Sequence, residues 1–258
     1  MGCSKLIGIL KVRVAVYTCV TGGYDEVSPP AVLTAGVDYL CFNDGSVRVP
    51  APWQDLKITD KYSGKDANRY IKILPQLDNK LRNYDLTIYV DGSIEIVGDL
   101  APLIRSVQCT EGQTFMYEHP RRNCVYLEAR ACVKSMKASL RQTSRLLARY
   151  RKKGMPERFG LFEGGIIVRR MDSEFNALME SWWKAYLIGV GRDQLALMYS
   201  SWETGIPIQS LGKADHRFDQ LYFRSKPGHK DDFVKRYFAW YVWRPIVSVL
   251  LFLKIAKL

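Results

Sequence analysis

Residues 86–100 read LTIYVDGSIEIVGDL. An apolar, β-branched run ends on Asp91, Gly92 and Ser93 follow, and a second apolar run closes at Gly98 and Asp99. This pattern predicts a buried strand that delivers a carboxylate at its end, where glycine lets the backbone turn. A carboxylate held there can present oxygen to a ribose, to a cation on a pyrophosphate, or to a sugar. The same residues also suit an ordinary β-turn in which Asp and Gly serve geometry alone. The neighbouring segments decide between the two.

Val12 to Thr18 reads as a second buried strand, running into Thr21-Gly22-Gly23-Tyr24-Asp25, and Val37 to Phe42 as a third, ending at Asn43-Asp44-Gly45. Ile71, Leu74, Leu77 and Leu81 predict a helix over 66–81 broken or kinked at Pro75. A short helix is expected over 100–107, and an apolar strand over 161–169 interrupted by Glu163-Gly164-Gly165, whose missing side chains would let another molecule approach the backbone. An aromatic-rich helix follows over 175–187, and Arg192-Asp193-Gln194 opens another through Tyr199. Strands alternating with helices, with polar residues gathered at strand ends, predict an α/β sheet with its site at the carboxyl edge.

The chain has 258 residues, 47% of them apolar, enough for one large domain. Its formal charge of +12 is unevenly spread. Residues 121–158 carry twelve Lys/Arg against Glu128 and Glu157, residues 213–258 carry ten against four acids, and the remainder is net acidic. The basicity therefore belongs to two segments, which implies a localised anionic partner: a phospholipid surface, a phosphorylated acceptor or nucleic acid. Lys134 to Lys153 reads as one helix with cations at 134, 137, 141, 145, 149 and 152 in a single stripe, and with Met136, Leu140, Leu147 and Tyr150 on another face. Six scattered cysteines form no CxxC pair or zinc spacing, so free thiols in a reducing, cytoplasmic setting are expected. The N-terminus shows neither a signal-peptide pattern nor a complete myristoylation motif.

From Tyr237 to Leu253 the chain is almost wholly apolar and aromatic, flanked by Lys235-Arg236 and by Lys254 and Lys257. About seventeen residues is the lower limit for a spanning helix, and Arg244 and Pro245 count against one. A segment lying in the interface would let Arg244 snorkel while the Trp and Tyr rings sit at headgroup level. The expected organisation is therefore residues 1–225 as one domain, with the basic helix 134–153 as an insertion, and residues 226–258 as a basic, apolar membrane-associating segment. A C-terminal helix packed on the domain's own core is the alternative.

Taken in order, VYTCVTGGYD, DYLCFND, NRYIKILP, YDLTIYVDGSIEIVGDL, EHPRRNCVYLEA, GMP, GLFEGGIIVRR and GRDQLAL resemble, at matching spacing, the TOD1/MUCI70-like glycosyltransferase family. The resemblance runs from about Val14 to Leu211. It implies a nucleotide-sugar-dependent enzyme with a single GT-A (Rossmann-like) α/β domain, distantly similar to the family 8 glycosyltransferases. The sheet would be mixed, mostly parallel and flanked by helices, with a C-terminal apolar helical tail.

Carried over by motif, the resemblance places Thr18, Thr21 and Gly22 where the first strand meets the nucleotide, and Asp44 where the second approaches base or ribose. Arg69 and Lys72, three apart on a helix, would neutralise the diphosphate. Asp91, with Gly92 and Ser93, takes the place of the first acid of a DxD motif. Ser93 stands where a second carboxylate is expected, and a hydroxyl is a poor ligand for Mg²⁺ or Mn²⁺. Any such cation would therefore rely on the diphosphate or on His216, or the protein's own cations would replace it. Glu163, Asp193 and Asp91 are the candidate catalytic residues, with Gly164, Gly165 and Gln194 beside the transferred sugar. His119, Arg121 and Arg122 are expected on the acceptor side.

The expected activity is transfer of a hexose or hexuronic acid, from a UDP-sugar by default, to a lipid-linked or anionic glycan at the cytoplasmic membrane face, as in bacterial surface polysaccharide assembly. The expected anionic membrane contacts are residues 134–153 and 234–258. The alternatives are a basic nucleic-acid-binding protein, which leaves the strand-end acids unexplained, and a non-catalytic membrane-associated binding protein.

Overall fold

The computed structural model describes residues 12–58, 62–172, 175–226 and 237–253. The strands are β1 (Val14–Val20), β2 (Val37–Asn43), β3 (Gln54–Lys57), β4 (Leu86–Val90), β5 (Ile94–Ile96), β6 (Thr114–Glu118), β7 (Phe162–Arg170), β8 (Gln209–Lys213) and β9 (Phe223–Ser225). The helices are α1 (Gly64–Ile73), α2 (Ala101–Cys109), α3 (Val125–Lys134), α4 (Leu140–Lys153), α5 (Phe175–Leu187), α6 (Asp193–Thr204) and α7 (Arg244–Phe252). Seven strands form one sheet in the order β3-β2-β1-β4-β7-β6-β8, and β5 pairs with β9 in a separate ribbon. Every pairing in the large sheet is parallel except those of β7, which runs against both β4 and β6. The mixed, mostly parallel α/β sheet with flanking helices that the sequence predicts is present.

Burial explains the strand composition. β1 is buried along its whole length, and its alternate residues enter different layers: Ala15, Tyr17 and Cys19 pack with α1 and α3–α7, whereas Val14 and Val16 pack with α2 and the ribbon. Period-2 alternation thus fills two cores, and both faces of the strand are apolar because both are covered. Pro75 ends the helical run after Ile73, leaving two short 3₁₀ turns before β4.

The predicted single helix over 134–153 is two helices. α3 ends at Lys134, Met136 takes a left-handed φ of 57°, and Lys137 N–H returns to the carbonyl of Cys132 at 2.8 Å. These contacts close the carbonyls of the last turn of α3. Lys134 and Lys137 therefore leave the stripe, while Arg141, Arg145, Arg149 and Lys152 stay on α4, opposite its buried Thr143, Leu146, Leu147 and Tyr150.

The tail is helical over 237–253 and rests on the core along one side. Val247 is fully buried, Trp243 and Leu251 pack against the same cluster, and Trp243 Nε1 donates to the Val133 carbonyl at 2.8 Å. No described helix is long and apolar enough to cross a membrane. The five described cysteines are free thiols; Cys3, the flanking Lys235, Arg236, Lys254 and Lys257, and the rest of the expected contact segments outside 237–253 and 134–153 lie beyond the described residues.

Candidate active site

The chain leaves β1 outward to β2 and β3, then returns to the other side of β1 as β4. That reversal opens a crevice between the carboxyl ends of β1 and β4, where α/β sheets bind ligands. Thr21-Gly22 leaves β1 there, Asp44 leaves β2, Asp91 leaves β4, and antiparallel β7 brings its first residues, Phe162 to Gly165, to the same edge. All the candidate donor residues on strand ends therefore converge on one rim.

Asp91 is half-buried at the turn into β5. Its N–H donates to the Gly165 carbonyl at 2.8 Å, its Oδ1 accepts from Gly92 N–H at 3.1 Å, and the Tyr89 hydroxyl lies 3.4 Å away. Gly92 is required by packing: a Cβ there would sit 2.8 Å from Asp25 Cβ and 3.0 Å from Val20 Cγ2. Asp25 thus brings a second carboxylate beside the turn. Ser93 holds the end of the fold in place through its carbonyl, which accepts from Lys226 N–H at 2.9 Å. The Lys226 ammonium donates to the Glu26 carbonyl, and Thr18, Trp53, Asp91, Gly92, Ile94 and Lys226 line a small cleft. Thr18 Oγ1 is buried there with no hydrogen-bond partner among the described residues.

Lys226 is a functional candidate that the sequence reading missed. The pairing of β5 with β9 carries it back over Ser93, a contact that only the ribbon reveals. Its one local signal is a lysine directly after a short strand and before Pro227.

The loop after β1 is built by Asp44 and two glycines. Gly22 and Gly23 have φ of 63° and 61°, values that side chains disfavour. Their N–H groups donate to Asp44 Oδ2 at 2.8 Å and Ser46 Oγ at 2.7 Å. The Ser46 hydroxyl also donates to Asp44, and this bond, with that from Gly22, holds the exposed Asp44 carboxyl below its ordinary range. Thr21 Oγ1 reaches the Gly64 carbonyl at 2.9 Å, fixing the start of α1 to the end of β1.

Behind the rim lies a buried charge cluster. Lys72 Nζ is 2.5 Å and Arg69 Nε 3.3 Å from Asp193 Oδ2. Burial would raise the Asp193 carboxyl, but the Lys72 and Arg69 charges overrule it and hold it well below the ordinary carboxylate range. Both cations also feel the Asp91 charge, but Lys72 is buried on Asp193 whereas Arg69 is partly exposed. Gly164 leaves room for this pair, since a Cβ there would lie 3.0 Å from Lys72 Nζ. Its bare backbone is approached by the protein's own ion pair. Gln194 Nε2 donates to the Phe162 carbonyl at 3.0 Å, tying α6 to the start of β7.

A second, half-buried acid stands at the start of β7. Glu163 Oε2 is 3.1 Å from His216 Nε2 and 3.2 Å from Arg217 Nε. Burial pushes this carboxyl up, but the two hydrogen bonds outweigh that and leave it below its ordinary range. Both candidate acids are therefore ionised and charge-compensated. On the expected acceptor side, His119 Nδ1 accepts from the N–H groups of Arg121 and Arg122, each at 3.1 Å, and Arg122 Nε pairs with Glu128 at 2.5 Å. His119 and Arg122 thus build the turn into α3, and Arg121 alone of the three stays exposed.

A divalent cation needs several oxygen donors in a converging set. The turn offers Asp91, Asp25 and the Ser93 hydroxyl, and among the described residues no three His, Cys, Asp or Glu side chains could hold a metal ion. His216, the other expected ligand, faces Glu163 with Nε2 while its Nδ1 is buried with no partner among the described residues. This set does not form a ready-made Mg²⁺ or Mn²⁺ centre.

Residues 53–210, more than half of the chain, match the family described as TOD1/MUCI70, glycosyltransferase-like domain. No individual curated protein matches the chain. The matched stretch contains Arg69, Lys72, Asp91, Glu163, Asp193 and Gln194; β1, β2, His216 and Lys226 fall outside it.

Proposed function

The chain belongs to the TOD1/MUCI70 glycosyltransferase-like family, and from that premise we propose that it moves a hexose or hexuronic acid from a nucleotide sugar, UDP-linked by default, to a glycan acceptor. The observation that carries this reading is the convergence of Asp91-Gly92, Thr18 and Lys226 on one cleft at the ends of β1 and β4, with Arg69 on α1 under the influence of the Asp91 charge. In the proposed reaction the bond from the anomeric carbon to the diphosphate breaks and an acceptor oxygen bonds to that carbon. The diphosphate leaves with the electron pair, and the acceptor's proton passes to a carboxylate or to water.

Charge on the departing diphosphate is met by Arg69 and Lys226, cations that need no reorganisation during the reaction. Asp91 orients the donor. Lys72 fixes Asp193 and so the start of α6, from which Gln194 borders the sugar. Glu163 Oε2 is occupied by His216 and Arg217, which leaves Oε1 to accept from a sugar or acceptor hydroxyl. An anionic or lipid-linked acceptor, as in bacterial surface polysaccharide assembly, is the chemistry that the exposed Arg121 and the basic α4 suit.

A panel of UDP-, GDP- and CMP-sugars, read by thermal stabilisation and donor turnover, tests this function. Stabilisation by one nucleotide class with release of its diphosphate is expected. Silence across the panel would contradict it and favour a non-catalytic binding protein.

A further inference from the structure

The C-terminal helix leaves most of its apolar surface uncovered. Trp243, Val247 and Leu251, four apart, face the core, whereas Trp240 is 61% exposed, Tyr241 63% and Phe252 84%. Single exposed apolar residues are ordinary, but a continuous series along one helix is not. The Arg244 guanidinium lies over the Trp240 ring at 4.2 Å, setting a cation beside the exposed indole. α7 packs on α3, and so does α4, which contains no acid and whose exposed side carries Arg141, Arg145 and Lys152, Arg149 being turned to Tyr199 of α6.

We infer that this face docks on an anionic lipid bilayer, with the 237–253 helix lying in the interface and α4 supplying cations to the lipid phosphates. The aromatic helix and α4, both packed on α3, select the occupant together. The cations call for an anionic partner, and the Trp and Tyr rings, each apolar with one polar tip, call for a partner whose depth changes from wet to apolar. Nucleic acid offers the charge without the apolar depth. The inner stripe, fixed by Trp243 and Val247, keeps the helix on the domain, so the contact lies in the plane of the surface and does not cross it. This inference stands on the surface alone and does not depend on the donor reading.

The test is flotation of the full chain with vesicles of phosphatidylglycerol and phosphatidylcholine, against phosphatidylcholine alone. One variant combines Trp240→Ser with Phe252→Ser, a second combines Arg141→Glu with Arg145→Glu, and Leu33→Ser, at an exposed site elsewhere, is the control. Circular dichroism and melting check that each remains folded, and light scattering without lipid reads the oligomeric state. The wild type and the control are expected to float with the anionic vesicles, and each paired variant to lose partitioning by roughly tenfold or more. Absence of wild-type flotation, or unchanged flotation of the aromatic variant, would overturn the inference. So would a lipid-free dimer that the aromatic variant dissociates, because the face would then belong to a second copy. Donor-induced stabilisation, measured on the same proteins, separates failure here from failure of the catalytic reading.

Discussion

At the scale of single residues, the candidate site contains two kinds of acid. Asp193 is locked by Lys72 and Glu163 by Arg217, whereas Asp91 stands half-buried at the crevice with Gly92 and Tyr89 on its carboxylate among the described residues. Asp193→Asn should therefore act mainly on stability, because it strands Lys72 in the interior. The expected cost is about 3–5 kcal/mol in urea unfolding, with much of it restored when Lys72→Met is combined with Asp193→Leu. Both carboxyls titrate below their ordinary values in the folded chain. Their stabilisation is thus complete above the unfolded carboxylate range and is lost as pH falls below about 4. A melting series in acid should show that loss, and Glu163→Gln should reduce its slope. Lys226→Ala leaves the ion pairs of Asp193 and Glu163 intact and should weaken donor binding by roughly tenfold or more, the value of a charge-assisted hydrogen bond to phosphate. An unchanged dissociation constant in calorimetry would remove Lys226 from the site.

At the scale of elements, α1 carries Arg69 and Lys72 and is itself anchored from below. The Tyr17 hydroxyl lies 3.4–3.5 Å from the Ile71 and Lys72 carbonyls at the end of α1 and accepts from Arg169 Nη1 at 2.8 Å. Arg169 is fully buried, with Nε and Nη2 unpartnered among the described residues, so a cation faces the negative end of the helix across one phenol. Tyr17→Phe removes the acceptor and should cost about 1–3 kcal/mol, measured by urea unfolding. Neither Tyr17 nor Arg169 was legible as a pair, because they lie on β1 and β7, 152 residues apart. Local pattern did carry β4, α5 and the break at Pro75, each set by apolar run or backbone chemistry. It failed where a tertiary contact closes an element. The α3–α4 break depends on the left-handed Met136, which a periodic run of cations conceals, and β5 and β9 are three residues each, recognisable only as partners.

At the scale of the whole molecule, the order β3-β2-β1-β4 gives strand-end polar residues a common address. The acids at strand ends were legible because a buried parallel strand can end in polar residues only where the sheet ends. Which of them would be paired was not legible, since the partners of Glu163 and Asp193 come from His216, Arg217, Lys72 and Arg69 on remote segments. Asp25, from the loop after β1, packs against Gly92 in the turn that follows β4. That contact makes Gly92→Ala a sharp probe, as its Cβ would collide with Asp25. The variant should lose donor affinity while the Lys72–Asp193 cluster, and with it most of the stability, persists. The most direct test of the central claim is calorimetric binding of the best donor, or its diphosphate nucleoside, to the wild type and to Asp91→Asn. Loss of binding in the variant, with its melting temperature preserved, is the predicted result. Equal affinity in the two proteins would contradict the placement of the donor at the end of β4.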